Sequence, residues 1–513
     1  MKRRDFIKNS MTGLMAPVLL DRQNLWGMGR LSESLLENDK VLVVIQLNGG
    51  NDGLNTIIPV NQYANYLNAR KNIAIAENKV LKIGQSDQIG LHPSLKNLTG
   101  MFAEGQAGII QDVGYPNPNY SHFRATDIWN TASDSNEVLE SGWAGRYLAM
   151  EHPNFPEGYP SEKYPDPLAI QIGSVVTTAL QGPIFSMGMS ISDTANFYNL
   201  IDDTVEPAPN TLAGKELSFI RKISSQTNQY ASTIKAAALK VSQQKEYPNL
   251  NLANQLKIVA RLIAGGLKTK IYYVKLSGFD THSTQAVATD TSTGTHANLL
   301  AQLADSIKAF QEDLKFLGVQ DRVMGMTYSE FGRRIKSNAS LGTDHGAAAP
   351  LFYFGAKVNS RYFGKPTTIS ATVGNNDNIP MQYDFRAVYA SIFKYWFCVD
   401  SSEIKNILFD EFEALPITLG GNCGNLLANE PENAKDFLKA YPNPFSEEIF
   451  FKINEENPQG NLQIYDLKGF VVIPEIEVIQ KDFSLNLSHL PTGIYFAKYQ
   501  NVVSQKTVRL IKR

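Results

Sequence analysis

Residues 41–53 read VLVVIQLNGGNDG, an apolar run rich in β-branched side chains that ends at two glycines and an aspartate. A continuous apolar run of this length is typical of a strand buried on both faces, as in a parallel sheet covered by helices. Gly49 and Gly50 allow a tight turn, and open α/β sheets bind ligands beyond the carboxyl ends of their strands. Asp52 therefore occupies a position suited to a metal ligand. An Asx-type turn, in which Asp52 caps its own loop, is the alternative.

The same arrangement recurs along the chain. Three further apolar runs lead into polar motifs, which are SHFR at 121–124, GFDTH at 278–282 and SEFGRR at 329–334. Four predicted strands are thus followed, close to their carboxyl ends, by side chains that can bind metal ions or take part in catalysis. One site assembled from these four strand ends is the simplest interpretation.

Predicted strands and helices alternate across residues 38–427. The alternation predicts right-handed βαβ crossovers and an α/β fold, with a mainly parallel sheet flanked by helices. Residues 151–266 begin with a stretch rich in Pro, Gly, Tyr and Asn and continue with helical patterns. We interpret them as an insertion that covers the sheet.

The composition of the 513 residues is that of a globular protein, with 43% hydrophobic and 19% charged residues, and the length allows two or three domains. The net charge of −2 and the lack of a long basic block argue against nucleic acid as a partner. Cys398 and Cys423 match no metal-binding motif, although the two could form one disulfide.

The first 30 residues have the order of an export signal. A basic segment, MKRRDFIK, precedes a short and mildly apolar one, MTGLMAPVLL, and the arginine pair fits the twin-arginine type. The apolar segment is too short to cross a bilayer, so we predict no transmembrane span. An ordinary basic tail is the alternative.

Histidines beside carboxylates predict a divalent metal site. His282 follows Asp280 by two residues and His345 follows Asp344 directly, both in loops flanked by glycine. Mixed imidazole and carboxylate ligands suit zinc or manganese, and carboxylate-rich sites also accept calcium, so the identity of the metal stays open. The predicted ligands are Asp52, Asp280, His282, Glu330 and His345.

Ser121 stands at the predicted start of a helix, just past a strand. A hydroxyl there meets free N–H groups and the positive end of the helix dipole, which suits attack on a phosphoryl or sulfuryl group. A simple N-cap is the alternative. The neighbouring His122 could be a metal ligand or a base. Arg124 and Arg333 are candidates to bind the oxyanion, because a planar guanidinium matches its geometry.

Together the motifs resemble the alkaline-phosphatase/sulfatase-like superfamily and, more closely, its sulfatase-like family catalogued as domain of unknown function 1501. The resemblance spans about residues 38–400 and rests on GGNDG (49–53), SHFRA (121–125), GFDTH (278–282), SEFGR (329–333) and GTDHG (342–346). It implies a metal-dependent hydrolase of phosphate or sulfate esters, acting on a small-molecule or glycan substrate. The residues that match the family's metal ligands and nucleophile are Asp52, Asp280, His282, His345 and Ser121.

Two positions depart from the superfamily pattern. Asp280 and His282 are separated by a single residue where the superfamily has a longer gap, and Glu330-Phe331 stands in place of its Asp-His. The second change implies a single-metal or altered site. A catalytically silent sulfatase-like surface protein, kept for binding, is therefore the alternative function.

A polar linker at 428–440 precedes a C-terminal segment, 441–513, with short strands at regular spacing. This pattern predicts a small β-sandwich. Its motifs resemble the C-terminal sorting domain of the type IX secretion system of Bacteroidetes-like bacteria. The resemblance implies export through the periplasm to the cell surface or medium, with the outer-membrane secretion machinery as a partner. A carbohydrate-binding module is the alternative.

Overall fold

The computed structural model describes residues 38–83, 87–191, 230–419, 423, 438–454, 458–501 and 505–513. The predicted export signal at 1–30 and most of the predicted linker at 428–440 lie outside the described residues. The predicted domain boundaries stay predictions.

Strands and helices are interspersed in the first four-fifths of the chain, whereas strands follow one another directly in the last fifth. In chain order the strands are β1 (Val41–Asn48), β2 (Ile57–Ile58), β3 (Leu81–Lys82), β4 (Gly90–Leu91), β5 (Ala107–Gly114), β6 (Ala169–Ile172), β7 (Gly188–Ile191), β8 (Ile271–Ser277), β9 (Val323–Tyr328), β10 (Ala349–Phe354), β11 (Tyr362–Phe363), β12 (Tyr383–Asp384), β13 (Leu438–Tyr441), β14 (Glu448–Ile453), β15 (Gly460–Asp466), β16 (Val471–Val478), β17 (Asp482–Asn486), β18 (Gly493–Asn501) and β19 (Gln505–Lys512).

The α-helices are α1 (Gly53–Thr56), α2 (Tyr63–Ala69), α3 (Lys96–Ala103), α4 (His122–Thr131), α5 (Trp143–Glu151), α6 (Asn251–Ala264), α7 (Thr295–Phe316), α8 (Phe385–Ile392) and α9 (Ser401–Leu408). Residues 230–240 are also helical, and a π-helical turn, Phe393–Phe397, follows α8.

The main sheet has the strand order β11-β5-β10-β9-β1-β8-β6-β7, with β12 also paired to β5. Among the described strands of this sheet, β10 runs antiparallel to its neighbours and the others run parallel. The predicted mainly parallel sheet flanked by helices is confirmed.

The apolar run of β1 reflects its position in the middle of this sheet. Leu42 and Val44 pack in the core on one face, whereas Val43 and Ile45 pack in the core on the other face. Polar side chains on either face would be buried without partners, so the strand shows no alternation of polar and apolar residues.

The sheet topology brings the predicted motifs to one edge. β8 and β9 lie on either side of β1 and run parallel to it, so the loops that follow all three strands leave the sheet together. The loop carrying His345 reaches the same edge because it precedes β10, the antiparallel strand. Gly49 is required there, since it has a φ of +123° and an added Cβ would lie 2.3 Å from the backbone nitrogen of Asp280.

Part of the predicted insertion extends the sheet instead of covering it. β6 pairs in parallel with β8, and β7 pairs in parallel with β6, at the end of the main sheet. Each of these strands has only four residues, too few to produce a period in the sequence.

The C-terminal module, residues 438–513, contains two antiparallel sheets, ordered β13-β14-β17 and β16-β15-β18-β19. Both sheets contribute to one apolar core that includes Phe451, Leu462 and Tyr499. The prediction of a small β structure at the C terminus is confirmed. None of the helices in the described part of the chain has both the length and the apolar character of a membrane-spanning segment.

Candidate metal centre

Three imidazoles converge on the carboxylate of Asp280. The Nε2 atoms of His282 and His345 lie 3.1 and 3.2 Å from its Oδ1, and Nε2 of His122 lies 3.4 Å from its Oδ2. The ligand atoms of His122, Asp280 and His345 all lie within 4.8 Å of one another. The cluster is open to solvent, because Asp280 keeps 48% of its side-chain surface exposed.

The second ring nitrogen of each histidine faces an oxygen. Nδ1 of His345 lies 2.8 Å from the carbonyl oxygen of Tyr120, which can only accept, so this nitrogen carries the proton. Nδ1 of His122 lies 2.9 Å from Glu330 Oε1, and Nδ1 of His282 lies 3.4 Å from Asp344 Oδ1. Such contacts fix the tautomer that leaves the Nε2 lone pair free for a metal ion.

Asp280 is ionised at neutral pH. Burial acts to raise its pKa, but the hydrogen bond from Arg333 and the positive charge of that guanidinium outweigh the effect of burial and lower the pKa to about 2. Burial lowers the pKa of the His345 imidazole, which favours its neutral form. An ionised carboxylate beside imidazole nitrogens is the donor set that zinc and related divalent ions bind.

Glu330 is a buried residue that contacts the cluster through His122. Its side chain is fully buried, and Oε1 accepts from the backbone N–H of Gly49 at 2.8 Å as well as contacting His122. Glu330 thus contacts the cluster through Nδ1 of His122, while Nε2 of the same ring faces Asp280. The adjacent Phe331 ring lies 4.9 Å from the His122 ring and 4.5 Å from the His345 ring, so it packs the two histidines in place.

Asp52 is placed differently from the prediction. Its carboxylate is fully buried and accepts from Arg70 Nη1 at 2.7 and 2.6 Å, and it also accepts from the side-chain amide of Gln285. Burial acts to raise the pKa of Asp52, but the Arg70 guanidinium and the other polar contacts give a net lowering. The cation that compensates Asp52 is therefore an arginine, and we correct the proposed ligand set by leaving Asp52 out.

Arg333, which was predicted to bind an oxyanion, instead bonds to the backbone of the loops around the site. Its guanidinium is fully buried and donates to carbonyl oxygens of Gly49, Gly50, Phe279 and Thr343, the last at 2.8 Å. A further bond of 2.7 Å reaches Oδ1 of Asp280. These bonds join the loops after β1 and β8 and hold Asp280, and the buried guanidinium is not exposed to a substrate.

Arg124 requires the same correction. Its Nη1 pairs with Asp127, one turn along α4, and Nη2 donates to the carbonyl oxygens of Glu137 and, at 3.0 Å, of Asp134. The guanidinium therefore anchors the loop after α4, and none of these contacts is with the histidine cluster.

Ser121 occupies the N-cap position of α4, but its hydroxyl makes no capping bond to the helix. The residue is exposed, and its backbone N–H donates to Asn119 Oδ1 at 2.9 Å. Both of its neighbours contact the cluster, Tyr120 through its carbonyl and His122 through its imidazole. The predicted nucleophile thus lies beside the cluster with its hydroxyl free of the helix.

Two contributors to the site were not predicted from the sequence, although Arg334 lies within the SEFGRR motif at 329–334. The Arg70 guanidinium follows no motif, and its pairing with Asp52 depends on how α2 packs. Arg334 lies next to Asp344, whose carbonyl accepts from its backbone N–H at 3.0 Å. Its guanidinium lies 5.7 Å from the centre of the Tyr120 ring. His122, by contrast, could be recognised in the sequence as a possible metal ligand or base, because it directly follows Ser121.

The chain matches two protein families. Residues 220–378 match the family described as protein of unknown function DUF1501, and residues 439–513 match the secretion system C-terminal sorting domain. Both resemblances inferred from the sequence are confirmed over these ranges. None of the curated proteins compared with the chain matches it. The sorting domain points to export and to the secretion machinery as a partner.

Several solved structures are similar to the chain at low identity. A protein in the alkaline phosphatase superfamily from Vibrio parahaemolyticus is 9% identical, with a TM-score of 0.33 over 84% of this chain and 78% of that one. The lipoteichoic acid synthase LtaP from Listeria monocytogenes is 10% identical, with a TM-score of 0.27 over 66% and 68%. The alkaline phosphatase from the Antarctic bacterium TAB5 is 10% identical, with a TM-score of 0.24 over 63% and 95%.

Proposed function

We propose that the protein is an exported, metal-dependent hydrolase of phosphate or sulfate esters. The observation that supports this function is the convergence of three Nε2 atoms on the ionised Asp280. His122, Asp280 and His345 would hold one divalent ion, and Nε2 of His282, 2.9 Å from that of His345, would be a fourth ligand. The bound ion would supply a Lewis acid that polarises the ester oxygen and lowers the pKa of a nucleophile.

Ser121 is the proposed nucleophile. Its hydroxyl is exposed at the positive end of α4, where free N–H groups favour an approaching anion. Attack forms a bond from Oγ to phosphorus or sulfur and breaks the ester bond. The proton of the Ser121 hydroxyl passes to water, and the departing alkoxide takes a proton from water to leave as the alcohol. Hydrolysis of the serine ester by a water molecule then restores Ser121 and releases phosphate or sulfate.

Arg334 is the proposed oxyanion-binding residue, in place of Arg124 and Arg333. Its side chain is half-buried and rests on the ring of Tyr120, whose carbonyl holds His345. Among the described residues, none accepts a hydrogen bond from its guanidinium. A positioned guanidinium with free donors is suited to bidentate contact with a tetrahedral oxyanion.

The alternative is a catalytically silent surface protein that uses the same scaffold for binding. It is favoured by the ion pair of Asp52 with Arg70, which removes one carboxylate from metal chemistry. The two functions differ in metal content and in turnover, so one set of measurements separates them.

The test combines metal analysis with an ester panel. We expect the full chain, purified and dialysed against zinc or manganese, to retain about one ion per molecule and to hydrolyse p-nitrophenyl phosphate or p-nitrophenyl sulfate. His345→Ala should lose both properties. The control, His489→Ala, removes an exposed histidine of the C-terminal module and should keep both. Absence of metal and of turnover in the unmodified chain would contradict the enzyme function and favour the silent one.

A further inference from the structure

Strand β18 of the C-terminal module is buried on both faces. Tyr495, Ala497 and Tyr499 point into the module's own core. The alternate residues, Ile494 and Phe496, belong to the core of the α/β domain, and Phe496 is only 2% exposed. A module on a free tether would carry polar residues on its outer face. The apolar run GIYFA at 493–497 therefore indicates a second packing surface.

The turn between β15 and β16 makes a polar contact with the α/β domain. The carbonyl oxygen of Leu467 accepts from Ser141 Oγ at 2.9 Å, and Arg146 donates to the Ser141 carbonyl at 2.6 Å. Next to it, Lys468 pairs with Glu137. Because Leu467 is itself buried in the α/β core, these bonds form at the edge of an apolar contact and not at an isolated surface pair.

Gly469 marks how closely the two parts approach. It has a φ of +96°, and a Cβ added there would lie 3.3 Å from the backbone oxygen of Pro183 and 3.3 Å from Cβ of Glu140. A side chain at this turn would press against the α/β domain, so glycine allows the turn to pack closely against that domain.

Strand β19 and the end of β18 extend the same surface. Nη1 of Arg509 donates to the Met150 carbonyl at 3.3 Å, and the ammonium of Lys498 lies 5.3 Å from the centre of the Phe185 ring. Phe496 lines a small cavity together with Phe185 and other apolar residues of the α/β domain. The contact thus combines an apolar centre with a polar rim, which is the anatomy of a specific protein interface.

We infer that the C-terminal module docks on its own α/β domain as a stable non-covalent partner, held by the sheet face of β18 and β19 and by the 466–470 turn. The occupant of this surface is the module of the same chain. The connecting segment then serves to raise the local concentration of the module and is not needed to retain it.

A cut in the connecting segment tests this inference. A specific protease site is inserted between Asn433 and Ala434 of the full chain. Cys398 and Cys423, which are bonded to each other, both precede the insertion, so cleavage leaves no covalent bond between the two parts. The readout is size-exclusion chromatography with light scattering at about 1 μM, a concentration at which only complexes of useful affinity persist.

We expect the cut fragments to elute together with the mass of one chain. Separate elution of the two fragments would overturn the inference, and so would co-elution with the mass of two chains, which would mean that the module docks on a second copy.

Matched variants extend the test. Phe185→Ser alters a half-buried loop residue of the α/β domain that faces Lys498, so folding should survive, as checked by circular dichroism. We expect it to raise the Kd of the cut fragments about tenfold or more, since each 1.4 kcal/mol of lost contact corresponds to a factor of ten. The control, Lys452→Ala, changes an exposed residue on β14 and should leave the Kd unchanged. An equal Kd for the two variants would contradict docking through this surface.

Discussion

The Nε2 atoms of His282 and His345 lie 2.9 Å apart, while the other ring nitrogen of each faces an oxygen atom. Two nitrogen lone pairs at this distance repel each other unless a proton or a metal ion lies between them. Bonds from imidazole nitrogen to zinc are about 2.0–2.1 Å long, so a shared ion accommodates this spacing.

Removal of Arg70 should destabilise the fold. Arg70→Met leaves the Asp52 carboxylate buried without its cation, and breaking a buried ion pair in this way lowers the free energy of unfolding by about 3–5 kcal/mol. The double variant Asp52→Asn/Arg70→Met should recover much of the loss, because no unpaired charge then remains. Urea denaturation measures both effects. Equal stability of the single and double variants would contradict the pairing.

The ion pair between Asp52 and Arg70 makes the stability of the fold depend on pH. The folded pKa of Asp52 lies below its ordinary value of 3.8, so the pair contributes stability above that pH. The contribution disappears as the pH falls through the folded pKa. We expect the unmodified chain to lose more stability than the double variant when the pH falls below about 4, as measured by thermal unfolding across pH values.

Glu330 should affect metal affinity without being a ligand. Glu330→Gln removes the carboxylate that orients His122, and loss of such an outer partner weakens metal binding about 10–100-fold. Isothermal titration with zinc gives the affinity. The control is Glu312→Gln, which alters an exposed carboxylate on α7 and should bind zinc as the unmodified chain does. A loss larger than that caused by His345→Ala would instead indicate that Glu330 is itself a ligand.

Substitutions of Arg334 and Arg333 should have different effects, because Arg334 is proposed to bind the oxyanion and Arg333 stabilises the loops around the site. Arg334→Ala should lower kcat/KM about 10–100-fold, the range expected when a charged hydrogen-bond donor to the substrate is lost. Its metal affinity and Tm should be unchanged. Arg333→Ala should lower the Tm, because buried carbonyl oxygens and Asp280 lose their donor. A lower Tm for Arg334→Ala, together with an unchanged Tm and a lower kcat/KM for Arg333→Ala, would contradict the roles given to the two arginines.

Deletion of residues 438–513 should destabilise the α/β domain. The deletion uncovers apolar residues of that domain which Ile494, Phe496 and Leu467 now cover. We expect a Tm lower by roughly 5 °C or more and increased binding of a hydrophobic dye. An unchanged Tm would show that the two parts are energetically independent.

Much of the fold could be read from the sequence because its strands are buried on both faces. The runs of β1, β8 and β9 are apolar over most of their length, so one sequence pattern indicates both a strand and its burial on both faces. β6 and β7 left no such pattern, since four residues beside Pro and Gly resemble a loop. The short strands of the C-terminal module were recognised because turns punctuate them at regular spacing.

The site was predicted less completely than the fold. Asp280, His282 and His345 come together because their loops leave one edge of the sheet, and that edge follows from strand direction. The partner of Asp52 could not be predicted, because it depends on the packing of α2. An arginine near a strand end also looks the same in sequence whether it meets backbone carbonyls, as Arg333 does, or a substrate.

The most direct test of the proposed metal centre is anomalous X-ray diffraction from crystals of the full chain grown with zinc or manganese. We predict one strong peak within about 2.0–2.3 Å of Nε2 of His122, Nε2 of His345 and a carboxylate oxygen of Asp280. A peak bound to Asp52, or no peak near these three residues at saturating metal, would contradict it.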